Sequence, residues 1–268
     1  MNGPKDQPTR IWYQSFVDPA EQAPYMDRLR ARLTQVASAG VSFDIVGLVP
    51  PDRYFHSITE FRCADRTIRN ALAAEKAGYD AFVIGHFQEP GLTECKGAVD
   101  IPVIGLGEAT MLHACALGRR FGLVTIDPAF IPWHEEQVRH HGLETRCAGV
   151  VAIKADLGRF MAAFADLAER AALRADFICQ VAPLRNRGAD VLIPAGGLPM
   201  LLLAQEAPLL IEGAVVLEGL ATVVKAAEMA VAMKRLTGIG TSRGGLYAKA
   251  SDGAIADFLG GTAAAATA

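Results

Sequence analysis

The chain has 268 residues, 51% of them hydrophobic and 21% charged, which suits one large or two smaller packed domains and excludes wholesale disorder. A net charge of −3 with no run of Lys or Arg excludes a nucleic-acid-binding or membrane-surface protein. The longest apolar stretch, around 198–216, is broken by Gln205, Glu206, Pro208 and Glu212, so no membrane span is expected, and the polar first residues lack a signal-peptide core, which points to the cytoplasm.

Short apolar runs alternate with amphipathic segments along the chain, the pattern of an α/β protein with parallel sheets. A first strand at 10–13 leads into Gln14 and Ser15, whose amide and hydroxyl can donate to a carboxylate or cyclic amide oxygen. A helix over 25–39 closes at Gly40, and a second strand at 41–46 opens into a long loop over 47–54. Tyr54 and His56 lie at the end of that loop, on the same sheet edge as the residues that matter most. A helix over 65–77 stops at Gly78, where glycine accepts the left-handed C-terminal conformation.

The third strand, 81–84, ends in Gly85-His86-Phe87. An apolar run that halts at a glycine and then presents a titratable group is how a parallel sheet delivers chemistry to its carboxyl edge. His86 has the one side chain whose ordinary pKa lies near neutrality, and it is the first choice for an acid or base. Glu89, three residues on, can orient the imidazole or act as an acid, and His56 is the choice for a second titrating group.

A second series follows: helix 110–117, strand 120–125 ending in Thr125, helix 130–141, strand 147–151, one amphipathic helix over 157–174, and strand 190–193 opening into Gly196 and Gly197. Those two glycines would leave backbone N–H groups bare near a helix start, a cradle for an oxyanion or carboxylate. The segments 78–85 and 188–195 repeat a Gly-plus-acid lead-in to an apolar strand, which suggests two similar lobes facing one another. A long apolar helix at 217–236 could support a homo-oligomer, and the Ala/Thr/Gly-rich tail from Gly260 is expected to fray. Five cysteines without a CxxC pair imply reduced thiols and no zinc framework. The histidines of 134–141 stand six and seven apart, unlike the four of HExxH, so an exposed charged helix and no metal are expected there. Neither Gly105-Leu-Gly107 nor Gly238-Ile-Gly240 completes a dinucleotide fingerprint.

Four segments in register, GYDAFVIG at 78–85, DIPVIGLGEA at 100–109, LGRRFGLVT at 117–125 and GADVLI at 188–193, make the chain resemble the aspartate/glutamate/hydantoin racemase superfamily, its hydantoin-racemase branch above all. The resemblance implies two Rossmann-like lobes with parallel sheets related by pseudo-twofold symmetry, a small-molecule site between them and no cofactor. The first lobe would comprise 1–113 plus 214–268 and the second 114–213. It also implies a substrate-binding role for Thr125 and for polar residues after the first strand. Such families set two cysteines across the substrate α-carbon, and their seats fall here at His86 and about Gly196. Glycine supplies neither acid nor base, so two-thiol racemisation and the malonate-decarboxylase mechanism are both excluded unless another residue reaches in. The expectation is a cofactor-independent isomerase- or lyase-like enzyme acting on a small carboxylate or cyclic amide through His86. A ring-opening hydrolase in which His86 activates water, a racemase with non-thiol bases, and a non-catalytic binding homologue stay open beside it.

Overall fold

The computed structural model describes residues 7–54, 56–153, 155, 157–206 and 208–260. Its first half alternates β1 (Thr9–Gln14), α1 (Ala23–Val36), β2 (Val41–Val46), α2 (Ser57–Lys76), β3 (Ala81–Ile84), α3 (Leu92–Ala98), β4 (Val103–Gly105) and α4 (Leu106–Leu117). The four strands form one parallel sheet in the order β2-β1-β3-β4. The second half runs β5 (Phe121–Thr125), α5 (Ile131–His140), β6 (Cys147–Ala152), α6 (Leu157–Ala165), α7 (Leu167–Asn186), β7 (Val191–Ala195), α8 (Gly197–Leu203), β8 (Leu210–Ile211) and β9 (Ala214–Val216). Its sheet has the order β6-β5-β7-β9-β8, so β6-β5-β7-β9 repeats the first sheet's order and only β8 runs antiparallel. Two Rossmann-like lobes result. Then α9 (Gly219–Thr237) returns to pack on α4, α1 and β3, and α10 (Asp252–Gly260) ends the described chain.

β3 shows why the core forms as it does. Alternate residues of a strand face opposite sides, and Ala81 and Val83 join the large core shared with the second lobe while Phe82 and Ile84 join a smaller core with Phe16, Cys63 and Leu92. A parallel strand covered on both faces reads as one continuous apolar run, and this one does. Where β1 and β3 part company toward β2 and β4, the carboxyl ends open a crevice, and β5 and β7 repeat that geometry in the second lobe.

Three boundaries differ from expectation. α2 starts at Ser57, eight residues earlier than read from the sequence, because His56 caps it through Nδ1, which accepts the Ile58 N–H at 3.2 Å. The long helix expected over 157–174 is two helices, since the Asp166 carboxylate accepts the N–H groups of Ala168 (2.8 Å) and Glu169 (3.4 Å) and starts α7 afresh. β9 pairs with β7 through Val191↔Val215 and Leu192↔Val216, so residues 214–216 belong to the second sheet rather than to the first lobe. The expectation of a frayed tail falls on 261–268, outside the described residues. Among the described residues no helix is long and apolar enough to cross a membrane.

The cap at Asp166 yields a stability prediction. Asp166→Ala should lower stability by about 1 kcal/mol, and Asp166→Asn, which keeps the acceptor, by a few tenths at most. Urea midpoints of the two variants measure the difference.

Candidate active site

His86 follows β3, and its neighbours come from two other elements. The ring packs edge-on against Phe16, with centroids 4.8 Å apart. Its Nε2 lies 3.2 Å from Asp52 Oδ2 in a close ionic contact, the two side chains being 17% and 4% exposed. Asp52 sits in the loop after β2, where its own N–H bonds Phe16 O at 3.0 Å and Arg62 ties down the carbonyls of Pro50 (2.6 Å) and Pro51 (3.0 Å). Glu60, in the first turn of α2, completes a cluster in which one donor atom each of Asp52, Glu60 and His86 lie within 4.8 Å of one another.

Such a cluster could surround a small cation. However, His86 Nδ1 accepts the Gln88 N–H at 3.4 Å, so a neutral ring carries its hydrogen on Nε2, facing Asp52, where a metal would have to bind. In the neutral ring Nδ1 is then the basic nitrogen, with its lone pair on the Gln88 N–H. Burial works against a charged His86, but the Asp52 contact and the negative charges of Glu60, Asp52 and Glu89 outweigh it and raise its pKa above the ordinary imidazole value. The two carboxyls part in opposite directions. Burial and the Asp52 charge raise Glu60, whereas Asp52, despite its burial, is lowered by His86, a Glu60 hydrogen bond and Arg62.

The ends of β3 and β7 confront each other. A Cβ built on Gly197 would stand 3.7 Å from the Gly85 carbonyl oxygen and 2.9 Å from the Tyr25 hydroxyl oxygen. The Tyr25 phenol of α1 thus occupies the space a side chain at 197 would take, and burial keeps its pKa above the usual phenol value, so it carries its proton. At Gly196, φ is 157° and a Cβ would press on Pro199 Cγ and Cδ at 3.2 Å. The Gly196 N–H is not bare as expected, because it bonds Pro194 O at 3.0 Å.

The second lobe contributes Thr125, fully buried, whose Oγ1 lies 3.2 Å from His134 Nε2. Gln137 spends its Nε2 hydrogens on Phe87 O (2.5 Å) and Glu89 Oε2 (2.8 Å), so its Oε1, 3.2 Å from His134 Nδ1, must accept, and Nδ1 carries the hydrogen. His134 Nε2 therefore accepts from the Thr125 hydroxyl. Burial pushes the His134 pKa down to about 4. The helix expected to be exposed is in fact buried on one face, by His134, Gln137, Val138 and His141 at i, i+3, i+4 and i+7.

Other expected site residues stand apart from His86. Glu89 is buried in a structural network, where Oε1 accepts the Glu108 N–H at 2.6 Å and Oε2 faces His141 Nε2 at 3.1 Å, which leaves no oxygen for the imidazole. Gln14 spends Nε2 on Ser15 O (2.8 Å) and its Oε1 on Asn70 (2.7 Å), so it ties β1 to α2 rather than offering a free amide. Ser15 is buried at the end of β1, with its N–H on Val46 O at 2.8 Å. Tyr54 is 74% exposed, and His56 is an exposed helix cap. None of Asp52, Glu60 and Tyr25 stands out in the sequence as a site residue, and His134 reads there as part of an exposed helix. For α5 the i, i+3, i+4, i+7 spacing was available, but nothing in the local sequence ties Asp52 and Glu60 to His86.

A model of the Asp/Glu/Hydantoin racemase family matches residues 19–227. The hydantoin racemase of Rhizobium meliloti is 38% identical over 79 residues, 30% of this chain and 33% of that enzyme, so the match spans about a third of the relative's length. Allantoin racemase from Klebsiella pneumoniae superposes with a TM-score of 0.72 at 25% identity, covering 91% of this chain and 94% of that one. A glutamate racemase of Bacillus anthracis shares the fold alone, with a TM-score of 0.58 and 15% identity over 96% of this chain and 95% of that one.

His134 makes stability depend on pH. Its folded pKa, about 4, lies below the ordinary value near 6.5, so the unfolded chain takes up the proton first and stability falls as pH drops from about 6.5 to about 4, by roughly 3 kcal/mol for this group. His134→Gln should flatten that limb of the stability–pH curve, as measured by urea unfolding at pH 7.5 and 4.5.

Proposed function

Because the chain belongs to the Asp/Glu/Hydantoin racemase family, we propose that it moves a proton at a carbon beside a carbonyl in a small cyclic amide, inverting that centre without thiols. His86 is the catalytic base and Tyr25 the acid on the glycine side. The reading rests on one observation above the others, the Asp52–His86 pair at the end of β3 facing a glycine pair beside the Tyr25 hydroxyl. The names of similar proteins, hydantoin racemase and allantoin racemase, support a cyclic ureide over an amino-acid substrate. A glycine at 196, with no side chain in the seat of the second thiol, leaves room for a ring.

Inversion needs an acid and a base on opposite faces of a planar intermediate. Once the long Gln88 N–H contact gives way, His86 Nδ1 takes the α-hydrogen as a proton while the C–H electron pair stays on carbon and delocalises onto the neighbouring carbonyl. Asp52 stabilises the imidazolium from Nε2 and fixes the ring's tautomer. The Tyr25 phenol, held protonated, returns a proton to the other face. No cofactor enters these steps. The five free thiols support a reducing, cytoplasmic setting, and the exposed Met229, Met233 and Leu236 along α9 support a homo-oligomer.

Incubation of enantiopure hydantoins and allantoin in D₂O, read by NMR and polarimetry, tests the reading. Wild type should invert the centre and wash in deuterium, and His86→Ala should abolish both. Tyr25→Phe should keep wash-in from one enantiomer while losing inversion, because one face retains its base. Full turnover by His86→Ala would reject the assignment. Oxygen-18 from solvent in a ring-opened product would make the enzyme a hydrolase, and unaltered release of a bound ureide would make it a binding protein.

The pH profile gives a second check. The base form of His86 is neutral, so kcat/KM should rise with pH through its titration, on the alkaline side of the ordinary imidazole value near 6.5. Asp52→Asn removes the partner that favours the charged ring and should move that limb to lower pH.

A further inference from the structure

The proton that His86 removes must leave before the next turnover, and the cluster behind the ring is built to carry it. Asp52 Oδ1 and Glu60 Oε1 are both buried and have no hydrogen-bond partner among the described residues. Two carboxyls this close to each other and to one imidazole oppose each other's ionisation, which raises Glu60, while His86 and Arg62 favour a charged Asp52. Glu60 also lines a second space. A groove of about 860 Å³ runs between α2, α3 and the C-terminal segment, bounded by Glu60, Ala64, Ile68, Pro90 and Phe258, while Asp52 and His86 are not among its lining residues. Glu60 is therefore the one member of the cluster that also borders this groove.

We propose that Glu60 and Asp52 form a proton relay that connects His86 to this outer groove. The inference rests on the reading of His86 as the catalytic base. When Nδ1 takes the substrate proton, the Nε2 hydrogen passes to Asp52 Oδ2. Glu60 releases its own proton to water in the groove and accepts the one now on Asp52. The carboxyl pair is restored and the ring is left as its Nδ1–H tautomer, which regains the Nε2–H form by exchanging protons with water; the net change is one proton moved from substrate carbon to groove water, matched by one that water returns to Tyr25. No oxidant, reductant or metal takes part. Glu60 and Asp52 act through His86 and are positioning residues. The charged or titratable groups facing the relay are His86 and Glu89 from the β3 end, Arg62 and Cys63 from α2, and His134 from α5.

Two measurements on the full chain test the relay. In the deuterium wash-in assay, Glu60→Ala and Glu60→Gln should lower the solvent-exchange rate ~10²-fold with KM unchanged. Added acetate should restore part of the rate to Glu60→Ala, where it can enter the vacated space, and not to Glu60→Gln. Separately, the His86 ring resonances should titrate in two steps in wild type, one as Glu60 ionises and one as the ring itself loses its proton, and in one step in Glu60→Gln. Undiminished exchange in both Glu60 variants, or a single-step His86 titration that Glu60→Gln leaves unmoved, would overturn the relay. So would one equivalent of zinc or manganese in the purified protein that is lost in Glu60→Gln, since the cluster would then be a metal centre. Should wild type exchange none of the test compounds, the base assignment fails, and the ring titration still decides whether the three groups share protons.

Discussion

The two lobes meet over one buried carboxylate. Glu89 stands at φ 58°, a left-handed conformation that a residue with a side chain keeps only when its surroundings hold it there. Its Oε1 accepts the Glu108 N–H at the amino end of α4, in the first lobe, and its Oε2 meets Gln137 and His141 on α5, in the second. One side chain therefore satisfies donors from both sides of the cleft. Two glycines make room for it. A Cβ on Gly105 would collide with Glu89 Oε1, and one on Gly107 would collide with Gln137 Nε2 and stand 2.5 Å from Phe87 O. The segment Gly105-Leu-Gly107, which has the look of half a nucleotide fingerprint, is explained by this close approach.

Glu89 lies three residues after His86, so the interlobe tie fixes the loop that carries the imidazole. The same Gln137 amide that holds Glu89 and Phe87 O dictates the His134 tautomer, and through it the direction of the Thr125 hydroxyl. Charge is divided accordingly. His86 is surrounded by the carboxylates of Asp52, Glu60 and Glu89 and favours its charged form. His134 is buried near His86, and both burial and that neighbour hold its pKa down. Two imidazoles on neighbouring elements thus serve different ends, one titrating and one holding a hydrogen-bond pattern in place.

The elements were legible where a single periodicity governs a segment. β3 is an uninterrupted apolar run because both its faces are covered, and its abrupt end at Gly85 pointed to His86 without any knowledge of the partner strands. Helix starts were harder. The first turn of α2 exposes Ile58 (74%) and Phe61 (78%), so hydrophobicity there runs against the usual amphipathic stripe, and the start was placed at 65. With it went Glu60. Asp52 was hidden for another reason, since a loop residue acquires its neighbours only through tertiary folding. Gln14 and Glu89 were legible as polar residues at a sheet edge, but polarity alone does not distinguish a side chain offered to a ligand from one consumed by the backbone around it. Their hydrogen-bond partners, 56 residues from Gln14 and 48 from Glu89, decided that.

The strand order repeats between the lobes, yet the groups that can move protons do not. His86, Asp52 and Glu60 all come from the first sheet's carboxyl edge, and Tyr25 from the helix that follows β1. The second lobe presents Thr125, whose hydroxyl proton is committed to His134, and two glycines without side chains. A symmetric fold usually places matched groups on its two matched strand ends. Here one strand end carries His86, and the opposite end carries glycines beside the Tyr25 phenol of α1. The asymmetry bears on how the site works. In the proposed mechanism the base discharges its proton through carboxylates, and those stand on the loop after β2 and in the first turn of α2. An acid opposite would need its proton at the start of each turnover, which burial of Tyr25 favours, and a proton from water to restore it afterwards.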